Sequence, residues 1–163
     1  MVSEDDFVCF AVFVVEVDGV LVGEVFAALA AQRVAPEHMV LKPSMVTSGK
    51  GCARQAGVDE VAERTLRLLK RCVPAAVPGI AFLSGGQSDE LATAHLDAMN
   101  RLGGGPWTLS FSYGRALQQP ALKAWRGAAS NVAAAQAALL HRARMNGLAA
   151  TGQYRADLEK KAA

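Results

Sequence analysis

Short apolar runs alternate with amphipathic stretches along the chain, and the alternation predicts strands and helices in turn. Residues 7–17 are rich in valine and phenylalanine without period-two polarity, the pattern of a strand covered on both faces. The run stops at Asp18-Gly19, a turn dipeptide, and residues 20–32 then carry alanines and leucines that favour helix and end before Pro36. Residues 39–42 form the next predicted strand. After the Ser48-Gly49-Lys50-Gly51 loop, residues 58–72 place Val61, Thr65, Leu68, Leu69 and Cys72 on one face at spacings of three and four. Arg64, Arg67, Lys70 and Arg71 take the other face, so this is an amphipathic helix lying on a core.

Pro74 and Pro78 end that helix, and residues 79–83 form a short apolar strand running into Ser84-Gly85-Gly86. Ser88 followed by Asp89 and Glu90 is a helix start, with a capping hydroxyl and acidic residues at the positive end of the dipole. That helix reaches about Leu102. Gly103-Gly104-Gly105-Pro106 is a loop, residues 107–111 a strand, and residues 120–125 and 130–145 two further helices. The polar stretch 152–163 is expected to be a loose tail. No internal repeat interrupts the pattern.

Strand, helix, strand, helix in this order predicts an α/β fold of βα units on a parallel sheet. In such folds the polar residues just beyond the carboxyl ends of the strands gather at the binding site. Three successive strands here end that way: at Lys42, at Ser84-Gly85-Gly86 and at Ser112-Tyr113-Gly114-Arg115. Lys42 closes the apolar run Val40-Leu41 and is stopped by Pro43. An amine in desolvated surroundings is a carbonyl nucleophile, whereas one that snorkels to water is only a strand-end charge, and the segment by itself allows both. Ser-Gly-Gly likewise serves a turn that needs positive φ or an anion that needs close backbone approach. Arg115 can clamp a phosphate with two parallel hydrogen bonds. Taken together the three strand ends favour a site for a phosphorylated carbonyl compound.

Composition narrows the classes. A chain of 163 residues that is 52% hydrophobic and 20% charged is long enough for one core and has the balance of a soluble globular domain. Its net charge of +2, with basic residues scattered along helices, argues against a nucleic-acid surface. Glu4, Asp5 and Asp6 precede the first apolar run where a signal peptide would be positive, and the run is too short to span a bilayer, so no membrane role is expected. Cys9, Cys52 and Cys72 are an odd set without metal-site spacing, which reads as reduced and cytoplasmic. His38, His95 and His141 lie far apart, and no metal or other cofactor is expected.

Several long motifs resemble class I fructose-bisphosphate aldolase: Leu41-Lys42-Pro43-Ser44-Met45-Val46, Gly79-Ile80-Ala81-Phe82-Leu83-Ser84-Gly85-Gly86-Gln87-Ser88 and Leu109-Ser110-Phe111-Ser112-Tyr113-Gly114-Arg115-Ala116-Leu117, followed by Ala121-Leu122-Lys123-Ala124-Trp125. They occur in the family's order across residues 25–154. The resemblance implies a partial (β/α)8 barrel, about the last four βα units, in a single shortened domain over residues 1–163, with residues 7–24 divergent. It implies metal-free cleavage of fructose 1,6-bisphosphate to dihydroxyacetone phosphate and glyceraldehyde 3-phosphate, in glycolysis. By motif, Lys42 matches the Schiff-base lysine, while Ser84, Gly85, Gly86, Ser112, Gly114 and Arg115 match the substrate phosphate site. Glu16, in Val14-Val15-Glu16-Val17-Asp18, matches a proton-transferring glutamate or is a strand-end carboxylate in solvent. The earlier strands of the family supply an aspartate, a second lysine and further basic groups that have no counterpart here. A sugar-phosphate-binding or interaction module derived from an aldolase is therefore the alternative function. Two half-barrels pairing as a homo-oligomer would cover the exposed strand edges.

Overall fold

A computed structural model describes residues 9–12, 19–49 and 51–161. Four parallel strands, β1 (Cys9–Val12), β2 (Met39–Lys42), β3 (Gly79–Phe82) and β4 (Thr108–Phe111), lie in the sheet in the order of the sequence. Parallel neighbours need crossover connections, and the helices α1 (Gly19–Ala31), α2 (Val58–Cys72) and α3 (Asp89–Arg101) supply them. Helices α4 (Arg115–Trp125) and α5 (Val132–Ala149) follow β4.

Register explains which side of the sheet each residue serves. Leu41 pairs with Ile80 and Ile80 with Leu109, so the buried members of three strands line up on one face, joined by Met39 and Phe82. That face meets Val61, Ala62, Leu66 and Leu69 of α2 and Ala92, Leu96 and Met99 of α3 in one continuous core. The alternate residues fall on the other face, and none of Val40, Lys42, Gly79, Ala81, Thr108 and Ser110 is buried.

The bounds of β2 and α2 coincide with those expected. In α2 the acidic first turn (Asp59, Glu60) and basic last turn (Lys70, Arg71) also suit the helix dipole. Trp107 stays outside β4 because its indole N–H donates to the Pro74 carbonyl, 2.9 Å away, pinning the start of the strand to the end of α2.

Two expectations need correction. Helix α4 begins at Arg115 rather than at Pro120, with Leu117 and Gln118 N–H donating to the Gly114 carbonyl and Pro120 inside the helix. Proline at a first helical position is the favoured reading of sequence, but burial of Ala116 draws the preceding turn into the helix at the cost of one backbone hydrogen bond.

The described part of the tail, to Lys161, is anchored rather than loose. The Tyr154 N–H donates to Asp97 at 2.8 Å, Tyr154 is buried, and residues Ala156–Lys161 form a 3-10 helix. From that helix Glu159 accepts from Arg142 of α5 at 2.6 Å and contacts His141 at 2.8 Å. Arg142 is only 3% exposed and also donates to Thr93 and to the Asp89 carbonyl of α3. Burial alone would raise the Glu159 carboxyl. The hydrogen bonds from Arg142 and His141, together with the charge of Arg142, outweigh it and hold the group below the usual carboxylate range.

Removing one partner of a buried ion pair strands the other, so Glu159→Ala should cost about 3–5 kcal/mol in urea unfolding. Arg155→Ala, which breaks an exposed pair with Asp157, should leave the midpoint where it is.

Candidate functional site

The polar strand ends sit side by side because the ladder continues past the strands. Leu83 N–H donates to the Pro43 carbonyl at 3.1 Å, and Ser112 N–H to the Phe82 carbonyl at 2.9 Å. Pro43 cannot donate to a ladder, so it ends β2 while its carbonyl still ties the chain beyond Lys42 to the chain leaving β3.

Lys42 is half-buried at the end of β2 on the face opposite the helix layer, level with Val12 of β1. The loop after it is anchored from below: the Val46 N–H donates to the buried Thr65 hydroxyl at 2.9 Å, and that hydroxyl donates in turn to the Val61 carbonyl. On the helix side of β2, Val22, Phe26, Leu41, Pro43, Met45 and Leu69 line an apolar cavity of about 20 Å³, room for a water molecule and not for a sugar phosphate.

After β3 the chain closes a tight turn in which the Gln87 N–H donates to the Ser84 carbonyl at 2.9 Å. Gly85 and Gly86 have φ of +55° and +81°, which side chains resist, and both are exposed while Ser84 is buried. A Cβ on Gly85 would stand 3.3 Å from the Ser44 hydroxyl. The turn therefore packs directly against the loop that follows Lys42. Ser88 caps α3, its hydroxyl accepting from the Leu91 N–H at 3.2 Å.

After β4, Tyr113 is buried and donates its hydroxyl to the Ala92 carbonyl at 2.8 Å, fixing the loop on α3. Burial raises the Tyr113 phenol above its usual range, so it stays a neutral donor. Ser112, Gly114 and Arg115 are exposed on either side of it. A cleft of about 220 Å³ brings Gly86 and Ser88 of the turn together with Arg115 and Lys123 of α4. Two cations on one wall and a glycine turn leading into a helix start on the other form an arrangement suited to an anion. Asp89 also borders the cleft, and Lys42 does not. Glu16 lies outside the described residues. Among the described residues, no group of three or more His, Cys, Asp or Glu side chains is gathered to hold a metal ion, and no helix is long and apolar enough to cross a membrane.

A family model for class-I fructose-bisphosphate aldolase matches residues 13–163. The chain belongs to the class I fructose-bisphosphate aldolase family. A Xanthomonas campestris protein named "Probable fructose-bisphosphate aldolase class 1" is 55% identical over 141 residues, which cover 86% of this chain and 42% of that protein. Chlamydomonas reinhardtii "Fructose-bisphosphate aldolase 1, chloroplastic" is 51% identical over 148 residues, 91% of this chain and 39% of the relative. The structure of the Plasmodium falciparum aldolase, solved with TRAP and a small-molecule inhibitor, superposes with a TM-score of 0.82 at 47% identity, over 84% of this chain and 40% of that one. The α/β fold expected from the sequence is thus an aldolase barrel in part, and the chain spans about two fifths of the length of the relatives it matches.

Gln87 also borders the cleft and His95 stands behind it on α3, and sequence reasoning assigned neither a role. His95 is 1% exposed, and its Nδ1 lies 2.5 Å from the Gln87 Oε1. The signal was a histidine within the buried stripe of Ala92, Leu96 and Met99, where an apolar residue would otherwise stand. Burial lowers its pKa from 6.5 to about 4, so the ring is neutral and donates from Nδ1. Because the unfolded chain binds this proton below about pH 6.5 and the folded chain only near 4, stability should be intact at neutral pH. It should fall by on the order of 3 kcal/mol as the pH drops through that window. Urea unfolding of the wild type and of His95→Gln between neutral pH and about pH 4 checks this, the variant lacking that part of the pH dependence.

Proposed function

We propose that this chain carries the Schiff-base and phosphate-binding residues of a class I fructose-bisphosphate aldolase, and that the reaction is cleavage of fructose 1,6-bisphosphate. The observation that supports this most is the packing of the Ser84–Gln87 turn against the loop that follows Lys42. It brings the glycine turn and a strand-end amine onto neighbouring strand ends of one sheet.

In this reading the Lys42 amine adds to the ketose carbonyl carbon and water leaves, giving a cationic iminium. A base takes the proton from the hydroxyl on the second carbon beyond, and the carbon-carbon bond between that carbon and the iminium's neighbour breaks. Its electron pair flows into the iminium, leaving an enamine while glyceraldehyde 3-phosphate departs as the aldehyde. Protonation of the enamine carbon and hydrolysis of the imine release dihydroxyacetone phosphate and restore the amine. Ser84, Gly85, Gly86, Ser112, Gly114 and Arg115 hold a substrate phosphate, with Arg115 supplying the charge. Glu16 is the residue proposed to move the proton.

The cleft between Gly86 and Arg115 is lined without Lys42, and this favours a second reading. In it the chain is a sugar-phosphate-binding module whose anion site works without imine chemistry.

Borohydride reduction in the presence of dihydroxyacetone phosphate, followed by peptide mass analysis, separates the two. The aldolase reading expects a reduced adduct on Lys42 that is absent in Lys42→Ala; a wild-type Lys42 left unlabelled sinks it. Arg115→Ala should weaken binding of dihydroxyacetone phosphate about 10- to 100-fold, the range for one lost charge-assisted contact. The binding-module reading expects that loss in Arg115→Ala and no loss in Lys42→Ala.

A further inference from the structure

Gln87 ties the glycine turn to the elements behind it, and it is held from two sides. Its amide N–H contacts the Met45 sulfur at 3.6 Å, three residues past Lys42, while its Oε1 faces His95 Nδ1 at 2.5 Å. His95 stands on α3, on the rigid buried stripe that also carries Leu96 and Met99. Its geometry fixes its protonation. Gln87 Oε1 can only accept, so His95 Nδ1 bears the proton, and Nε2 is a buried lone pair with no partner. A second ring proton would be buried without an acceptor, in accord with the lowered pKa.

An apolar residue would fill the space of the ring without burying a lone pair. What the histidine adds is a directed donor, aimed from the helix at the turn. We propose that His95 is a positioning residue which, through Gln87, holds the Ser84–Gln87 turn at a set distance from the Lys42 loop and thereby sets the affinity of the turn for a phosphate. It touches no substrate itself. One amide joins the turn, the lysine loop and α3, so a change at His95 reaches the anion site without altering any group that lines it. The inference rests on the reading of that turn as a phosphate site.

The test uses the full chain, with inorganic phosphate and dihydroxyacetone phosphate as probes in calorimetric titration. His95→Leu and Gln87→Leu should each weaken binding of both about five- to tenfold, the size of one lost neutral hydrogen bond. The double variant should lose no more than either single one, because both changes remove the same link. His95→Gln, which restores an N–H donor, should recover binding to within about twofold of wild type. In nitrogen NMR of the wild type, the His95 Nδ1–H should exchange slowly and shift when phosphate is added, and the slow exchange should vanish in Gln87→Leu.

Phosphate binding that is lost in Arg115→Ala but unchanged in His95→Leu and Gln87→Leu overturns the positioning role alone. Additive losses in the double variant also overturn it. Should the wild type bind neither probe, or bind them equally well as Arg115→Ala, the phosphate reading of the turn fails and the positioning role falls with it. Gln87 itself borders the cleft, so if His95→Leu does not fold, the wild-type His95 Nδ1–H signal carries the decision: a signal that phosphate leaves unmoved overturns the positioning role.

Discussion

Parallel register, continued beyond the strands themselves, is the constraint on which the site depends. The Pro43 carbonyl and the Phe82 carbonyl each accept from the chain leaving the next strand, so three loops that are remote in sequence depart from one line. Were β3 shifted by one residue, Ile80 and Phe82 would leave the core, and Ser84 would move relative to Ser44 and Met45. The apolar pattern that buries the core therefore also sets the spacing between the lysine loop and the glycine turn. Site geometry and core burial are one constraint seen from two ends of the same strands.

The helix layer does more than cover the sheet. Thr65 of α2 holds the loop after Lys42, Tyr113 reaches down to α3, and His95 reaches up from it, so each loop of the site is tied by a buried polar group to a helix beneath. Such groups are costly to bury unless paired, and pairing gives them direction. They locate backbone that apolar packing alone would leave free to slide. Further from the site the same device recurs: Arg142, shared among Glu159, Thr93 and the Asp89 carbonyl, binds the C-terminal 3-10 helix to α3 and α5.

Much of this was legible in the sequence where a single local rule governs. The period of α2 and the proline after Lys42 set bounds that the structure reproduces residue for residue. The strand ends at Lys42, Ser84 and Ser112 follow from the βα alternation, and the turn and the arginine do share a cleft. What stayed hidden depends on partners distant in sequence. The tail reads as polar and free until Asp97 and Arg142, 57 residues from Tyr154 and 17 from Glu159, are seen to hold it. His95 reads as one of three scattered histidines until Gln87 is found opposite. Pro120 misplaced the start of α4 because a rule for helix starts was applied where tertiary burial of Ala116 decides.

The two halves of the proposed chemistry are not equally supplied by the described residues. An anion site needs only backbone approach, a helix start and cations, and Gly86, Ser88, Arg115 and Lys123 provide these within one cleft. An imine-forming lysine needs more: surroundings that exclude water and groups placed to move protons. Lys42 stands with Val40, Ala81 and Ser110 on the face of the sheet that the helices leave uncovered, and none of these residues is buried. The residues proposed for phosphate recognition are thus placed by the chain's own secondary structure, whereas the reactivity proposed for Lys42 depends on what lies over that face. In the proposed chemistry, binding and turnover are for this reason separable: the first rests on the cleft between the turn and α4, the second on what covers the lysine.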